Sequence, residues 1–175
     1  MPIELLRNSD FFGSFESWTL GRRPFLNFIR PSDRVLDIGC ANGFLLISLL
    51  IWHEGPLIPY GFDIRADRIN EAKRLIPEFK DNIWRQDYLD REWRRIEVDV
   101  AIAPWVTNLP QTQYNYVANC IACAKRNVLF HLYDDRLELL ESMQAALRSW
   151  NIELSSVHSV PGKITIAVVD GYSTR

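Results

Sequence analysis

Apolar runs alternate along this chain with stretches whose apolar positions recur every three or four residues, the two periods that separate buried strands from helices. "RVLDIGC" predicts a buried strand, and "FLLISLLIWH" a helix apolar nearly all round. "LIPYGFDI" predicts a second strand and "ADRINEAKRLI" an amphipathic helix that stops before Pro77. "NIWRQD" follows as a short strand, and "VDVAIAPW" as an apolar strand with Asp99 at its start. "QYNYVANCIACAK" reads as a helix and "NVLFHLY" as the next strand. In "RLELLESMQAALRSW" the residues Leu140, Met143, Leu147 and Trp150 share one helical stripe, closed by Asn151. Ahead of all these, "FFGSFESWTLGRRPFLNFI" carries irregularly spaced aromatics and reads as helix, loop and helix.

Strands that alternate with helices imply a parallel sheet covered on both faces. The ending breaks the rhythm. "IELSSVHSV" and "KITIAVVDG" are separated only by Pro161 and Gly162, too few residues for a parallel crossover, so these strands form an antiparallel hairpin. The expected fold is therefore α/β: a three-layer sandwich around a mostly parallel sheet of about seven strands, with an antiparallel C-terminal hairpin. One domain is expected for a chain of 175 residues. Residues 1–33 form its N-terminal helical segment, a lid, and residues 34–175 the sheet and its helices.

Composition narrows the partners. Apolar residues make up 47% of the chain, which argues against disorder, and the net charge of −2 argues against a protein that lives on nucleic acid. Cys120 and Cys123 form a C-x-x-C inside a predicted helix, with no second pair and no histidine at zinc-ligand spacing. With Cys40 they suit a reducing, cytoplasmic setting, and no metal is expected. The longest apolar run, "FLLISLLIW", is too short to span a bilayer, and the N-terminus lacks a signal-peptide layout, so no membrane partner is expected.

Open α/β sheets bind ligands beyond the carboxyl ends of their strands. Those ends are Gly39 to Gly43, Asp63, Asp87, Ala103-Pro104-Trp105 and Tyr133-Asp134. Acids at three of them, without a G-x-x-x-x-G-K, do not make a phosphate cradle, which wants glycines, a helix N-terminus and a cation. They suit a ligand with a positive centre, a diol and an amine. Asp63 lies at about the 20-residue interval from the glycine turn at which an acid reaches a ribose diol. A buried acid such as Asp37 within a strand is costly unless partnered, which favours a functional reading over a structural one.

"LDIGCANG", "GFDI" and "RQDY", in order at successive strand ends and followed by the reversed hairpin, resemble the class I S-adenosylmethionine-dependent methyltransferases. The resemblance covers the chain from Arg34 to the hairpin. It implies S-adenosyl-L-methionine as cofactor, with Asp37 orienting the turn and the cofactor's amino group. Gly39, Cys40, Ala41 and Gly43 then line or shape the methionine part, with Ala41 where the family has its middle glycine. Asp63 takes the ribose hydroxyls and Ile64 the adenine. Asp87, with Tyr88, reaches the adenine amine, and Ala103 ends the fourth strand beside the cofactor.

The acceptor side is thinner. "APWVTN" occupies the place where the family puts acceptor contacts, but Ala103 leads it where N-methylating enzymes carry Asn or Asp, which counts against nucleobase or glutamine N-methylation. Trp105 and Asn108 are the candidate acceptor contacts, an aromatic face being suited to a cation, with a Trp105 that merely packs as the alternative. His131 is the candidate base, although its place in mid-strand favours a packed, hydrogen-bonded histidine. Phe11, Phe12, Phe15 and Trp18 form a candidate lid, with Arg22 or Arg23 to meet the cofactor carboxylate. The expected activity is methyl transfer to an oxygen or nitrogen nucleophile of a small molecule. Its rivals are a catalytically silent cofactor-binding module or partner subunit and a methyltransferase for RNA or protein. A nicotinamide dehydrogenase is opposed by the glycine spacing and the hairpin.

Overall fold

The structure is a computed structural model that describes residues 3–9, 11–106, 110–132 and 137–172. Seven strands form one sheet: β1 (Arg34–Ile38), β2 (Ile58–Asp63), β3 (Ile83–Arg85), β4 (Val98–Pro104), β5 (Ala124–Leu132), β6 (Leu154–Val160) and β7 (Ile164–Asp170). Their spatial order is β3-β2-β1-β4-β5-β7-β6. Every pairing among β1 to β5 is parallel, and β7 runs antiparallel to both β5 and β6. The Pro161-Gly162 turn thus reverses one strand, which inserts between β5 and the edge strand. Among the described residues six α-helices accompany the sheet, α1 (Ile3–Arg7), α2 (Phe15–Arg22), α3 (Phe44–Trp52), α4 (Ala66–Leu75), α5 (Pro110–Cys123) and α6 (Leu137–Ser149), with 3-10 helices at Arg23–Phe28 and Pro77–Asn82.

The two-residue period of the strands divides the core into two layers. Leu36, Ile38, Ala101, Ala103, Val128 and Phe130 pack with Tyr116 and Val117 of α5 and with Met143 and Leu147 of α6. Their neighbours Val35, Val100, Ile102 and Leu129 face the other way, against Phe44 and Leu49 of α3 and against Trp18 and Phe25 of the N-terminal segment. A smaller cluster sets α4 on the sheet through Ile69, Ala72 and Ile76. The same alternation puts Asp37 and His131 on the face of the N-terminal segment, both buried.

The helix, loop and helix expected from Phe11 to Ile29 is instead a helix at Phe15–Arg22 that runs directly into a 3-10 helix at Arg23–Phe28, and the start of β5 differs as well. The helix expected through Lys125 ends at Cys123, and β5 begins at Ala124. His131 is the second-to-last residue of β5 and not mid-strand. Cys120 and Cys123 are buried in the core, where burial pushes the Cys120 thiol well up and the Cys123 thiol up to about 12. Asp99 serves the sheet itself: its Oδ2 accepts from the Arg34 backbone N–H at 2.8 Å.

Candidate functional site

The chain leaves β1 through β2 and β3 on one side and returns as β4 on the other, so the strand order reverses between β1 and β4. Outside the carboxyl ends of these strands lies a cavity of about 550 Å³. Gly39, Ala41, Asp63, Tyr88 and Pro104 form its sheet side. Phe11, Phe12, Ser17 and Arg22 of the N-terminal segment, with Gly162 and Lys163 of the β6–β7 turn, complete its lining. A smaller recess of about 50 Å³ adjoins it, reached by Asp37, Cys40, His131 and Trp18.

The turn after β1 alternates in backbone hand. Gly39 and Gly43 take φ of 74° and 76°, and Ala41 between them takes φ of 45°. The middle position of the turn is thus left-handed too, although it carries a Cβ. Ala41 is held left-handed by its neighbours, since its N–H donates to Asp63 Oδ2 at 3.0 Å while the Gly39 and Cys40 N–H groups both donate to the Phe62 carbonyl. Asp63 Oδ1 accepts from the Arg65 backbone N–H at 2.8 Å, so one carboxylate joins the turn after β1 to the start of α4. Asn42, fully buried, secures the same turn by donating from Nδ2 to the Leu5 carbonyl at 2.9 Å.

Charge is concentrated on the recess. Burial first, and the Asp63 carboxylate last, raise the Asp37 carboxyl to about 8, with the nearby Arg22 guanidinium acting against the rise. Arg22 is itself buried, its guanidinium 4.7 Å over the Trp18 ring and 5.6 Å from Phe11. Burial, helped by Arg22, pushes His131 down to about 3, so its imidazole is neutral at pH 7. Burial also pushes the Cys40 thiol well up, and the Asp37 and Asp63 charges add to it. Among the described residues no three His, Cys, Asp or Glu side chains gather as a metal site.

No protein-family model matches the sequence, and no curated protein matches it. Solved structures do. A SAM-dependent methyltransferase from Aquifex aeolicus superposes with a TM-score of 0.67 at 14% identity, over 89% of this chain and 93% of its own. The magnesium protoporphyrin IX methyltransferase ChlM from Synechocystis PCC 6803, solved with bound SAH, gives 0.65 at 15% identity, over 97% and 94%. The fold is that of the class I S-adenosylmethionine-dependent methyltransferases. The pyocyanin biosynthetic protein PhzM gives 0.69 at 12% identity, and this chain, 89% covered, spans 55% of its length.

Within this methyltransferase fold, Gly39, Ala41, Asp63 and Tyr88 line the cavity, while Asp37, Cys40 and His131 reach the recess. Gly43 turns instead to α4, where a Cβ would meet Ala72 Cβ at 3.1 Å. Ile64 is exposed beside Asp63. Asp87 lies off the cavity walls, its Oδ1 accepting from the Leu89 N–H at 2.8 Å within its own turn. Ala103 is fully buried on the face of α5 and α6. Trp105 packs edge-on to Phe130 at 5.6 Å. Asn108 lies outside the described residues. Of the candidate lid, Phe11 and Phe12 line the cavity, Trp18 is buried beneath it and donates from Nε1 to Ser48 Oγ, Phe15 is half-exposed, and Arg23 faces solvent. Lys163 is the residue that sequence reasoning missed. It follows β6, which runs parallel to β5 across the antiparallel β7 and so has its carboxyl end on the same side.

Proposed function

We propose that the chain is an S-adenosyl-L-methionine-dependent methyltransferase acting on an oxygen or nitrogen nucleophile of a small molecule. One observation carries this reading: at the β1–β4 crossover the Gly39–Gly43 turn meets Asp63 in a cavity of about 550 Å³ and Asp37 in the small recess that adjoins it. The residues fit the cofactor. A Cβ at Gly39 would have nothing within 4 Å, so the backbone there is open to close approach by a ligand. Asp63, with lone pairs beyond those used by Ala41 and Arg65, is assigned the ribose hydroxyls. Asp37 is assigned the amino group and Arg22 the carboxylate, each beside the recess. Asp87, Tyr88 and Ile64 remain the assignments for the adenine end.

When bound, this cofactor supplies a methyl group activated by its sulfonium. The chain's own task is alignment, exclusion of water and charge placement. Phe11 and Phe12 cover one side, and Arg22 and Asp37 orient the amino-acid end. His131 at the recess is held neutral by burial, which lowers it to about 3 and makes it too weak a base at pH 7 to carry a proton-transfer step, so transfer rests on alignment of the nucleophile. A small acceptor is favoured because the N-terminal segment and the β6–β7 turn wall the cavity, while Arg85, Arg91, Arg94 and Arg95 lie off it. The three reduced, buried cysteines suit a cytoplasmic setting.

A second reading, a binding module without transfer, draws on the end of β4, where Ala103 is buried and Trp105 is packed on Phe130. Titration calorimetry with S-adenosylhomocysteine tests the first. Wild type should bind, and Asp63→Ala should weaken binding by at least about tenfold with its circular dichroism unchanged. Failure of wild type to bind overturns the reading. Binding without labelled-methyl transfer across a broad acceptor panel establishes the second.

A further inference from the structure

We infer that the acceptor carries an oxyanion, a carboxylate or a phosphate, and that Lys163 on the β6–β7 turn is the residue that receives it. This rests on the methyltransferase reading above and names its substrate class. Lys163 is placed by backbone geometry: its N–H donates to the Val160 carbonyl at 3.0 Å across Pro161 and Gly162, with Gly162 at φ 65°. Proline then a left-handed glycine is the pair that fixes a tight turn of this kind. The stem of Lys163 lies against α2, where a Cβ at Gly21 would be 3.9 Å from Lys163 Cβ. Its Nζ donates to Ser17 Oγ at 2.9 Å on the cavity wall, and an ammonium has three N–H groups, so two remain for other acceptors.

Charge across the cavity gives the sign of the acceptor. The cavity lining holds one carboxylate, Asp63, and two cations, Arg22 and Lys163, with Asp37 in the adjoining recess beside Arg22. A sulfonium ligand with one amino group and one carboxylate brings a net positive charge of its own. With Arg22 assigned to that carboxylate, an uncharged acceptor would leave the Lys163 ammonium facing a cation in a partly desolvated cavity, where like charges repel strongly. An oxyanion on Lys163 balances the site. Phe12, 89% exposed in the same lining, offers an aromatic face to the rest of such a molecule.

The experiment compares anionic probes with neutral partners of matched shape: 4-hydroxybenzoate with 4-hydroxybenzamide, indole-3-acetate with indole-3-acetamide, and phenyl phosphate with phenyl sulfamate. Each is titrated into the full chain with and without saturating S-adenosylhomocysteine. At least one anion should bind about tenfold or more tightly than its neutral partner, and whether 4-hydroxybenzoate or phenyl phosphate leads separates carboxylate from phosphate. Lys163→Met should abolish the preference and Lys163→Arg should keep it, both holding S-adenosylhomocysteine affinity within about twofold of wild type. No preference in any pair, or a preference that survives Lys163→Met, overturns the inference. So does a loss of about tenfold or more in S-adenosylhomocysteine affinity on Lys163→Met, which would make Lys163 a cofactor ligand. Failure of wild type to bind S-adenosylhomocysteine would overturn the methyltransferase reading instead, and the cofactor-free titrations would still decide the role of Lys163.

Discussion

Gly39 and Gly43 share nearly the same φ, yet a methyl group at each meets different surroundings. At Gly39 it would enter open space on the cavity side; at Gly43 it would press on Ala72 at 3.1 Å. Gly39→Ala should therefore cost only the left-handed strain, about 1 kcal/mol, and still cut S-adenosylhomocysteine affinity by about tenfold because the methyl occupies ligand space. Gly43→Ala adds overlap with a helix to the same strain, for a loss of about 2–3 kcal/mol in urea unfolding. Equal stabilities for the two variants would refute the close packing of turn and α4. Ala41→Gly should run the other way, because relief of strain at φ 45° outweighs the added freedom of the unfolded chain by up to about 1 kcal/mol. The sequence showed the turn because an acid and two glycines stand out in an apolar strand. Ala41's conformation was hidden, since it comes from the Asp63 carboxylate 22 residues away.

Elements were legible where one period dominated. The strand–helix alternation and the two-residue hairpin turn carried the sheet and its reversed strand, because chain length alone forbids a parallel crossover there. The α5–β5 boundary was harder, as "CIACAK" offers small residues that suit either state. Long-range ties were invisible altogether. Arg126 of β5 donates through Nη1 to Asp33 Oδ1 at 3.1 Å, pairs through Nη2 with Asp33 Oδ2, and also donates to the Phe28 carbonyl at 3.0 Å. Asp33 is buried and accepts from the Arg30 N–H as well, so this fork fastens the N-terminal segment to the sheet at the end remote from the cavity. Asp33→Ala removes the anion and leaves its donors without it, for an expected loss of about 2–4 kcal/mol in urea unfolding. Its distance from the cavity predicts S-adenosylhomocysteine affinity within about twofold of wild type; a larger change would mean that the fork also shapes the site.

At the scale of the whole molecule, the net charge of −2 conceals a cavity lined by two cations and a recess that holds two displaced titrations. These two make opposite demands on stability. Asp37 is raised from 3.8 to about 8, so its contribution is complete below 3.8 and is lost as pH rises through about 8. His131 is lowered from 6.5 to about 3, so its contribution is complete above 6.5 and is lost as pH falls toward 3. Each changes stability by about 1.4 kcal/mol per pH unit inside its window. Between 3.8 and 6.5 the two slopes oppose and largely cancel; above 6.5 only the Asp37 decline remains, and below 3.8 only the His131 decline. Asp37→Asn should therefore remove the fall in melting temperature between pH 6.5 and about 8 and uncover a rise with pH below 6.5. An unchanged profile in that variant would place the titration elsewhere. The same proton reports on the ligand: a cationic amino group beside Asp37 favours the carboxylate, so S-adenosylhomocysteine binding at pH 7 should release a proton. Calorimetry in buffers of different ionisation enthalpy reads that release directly, and Asp37→Asn should abolish it.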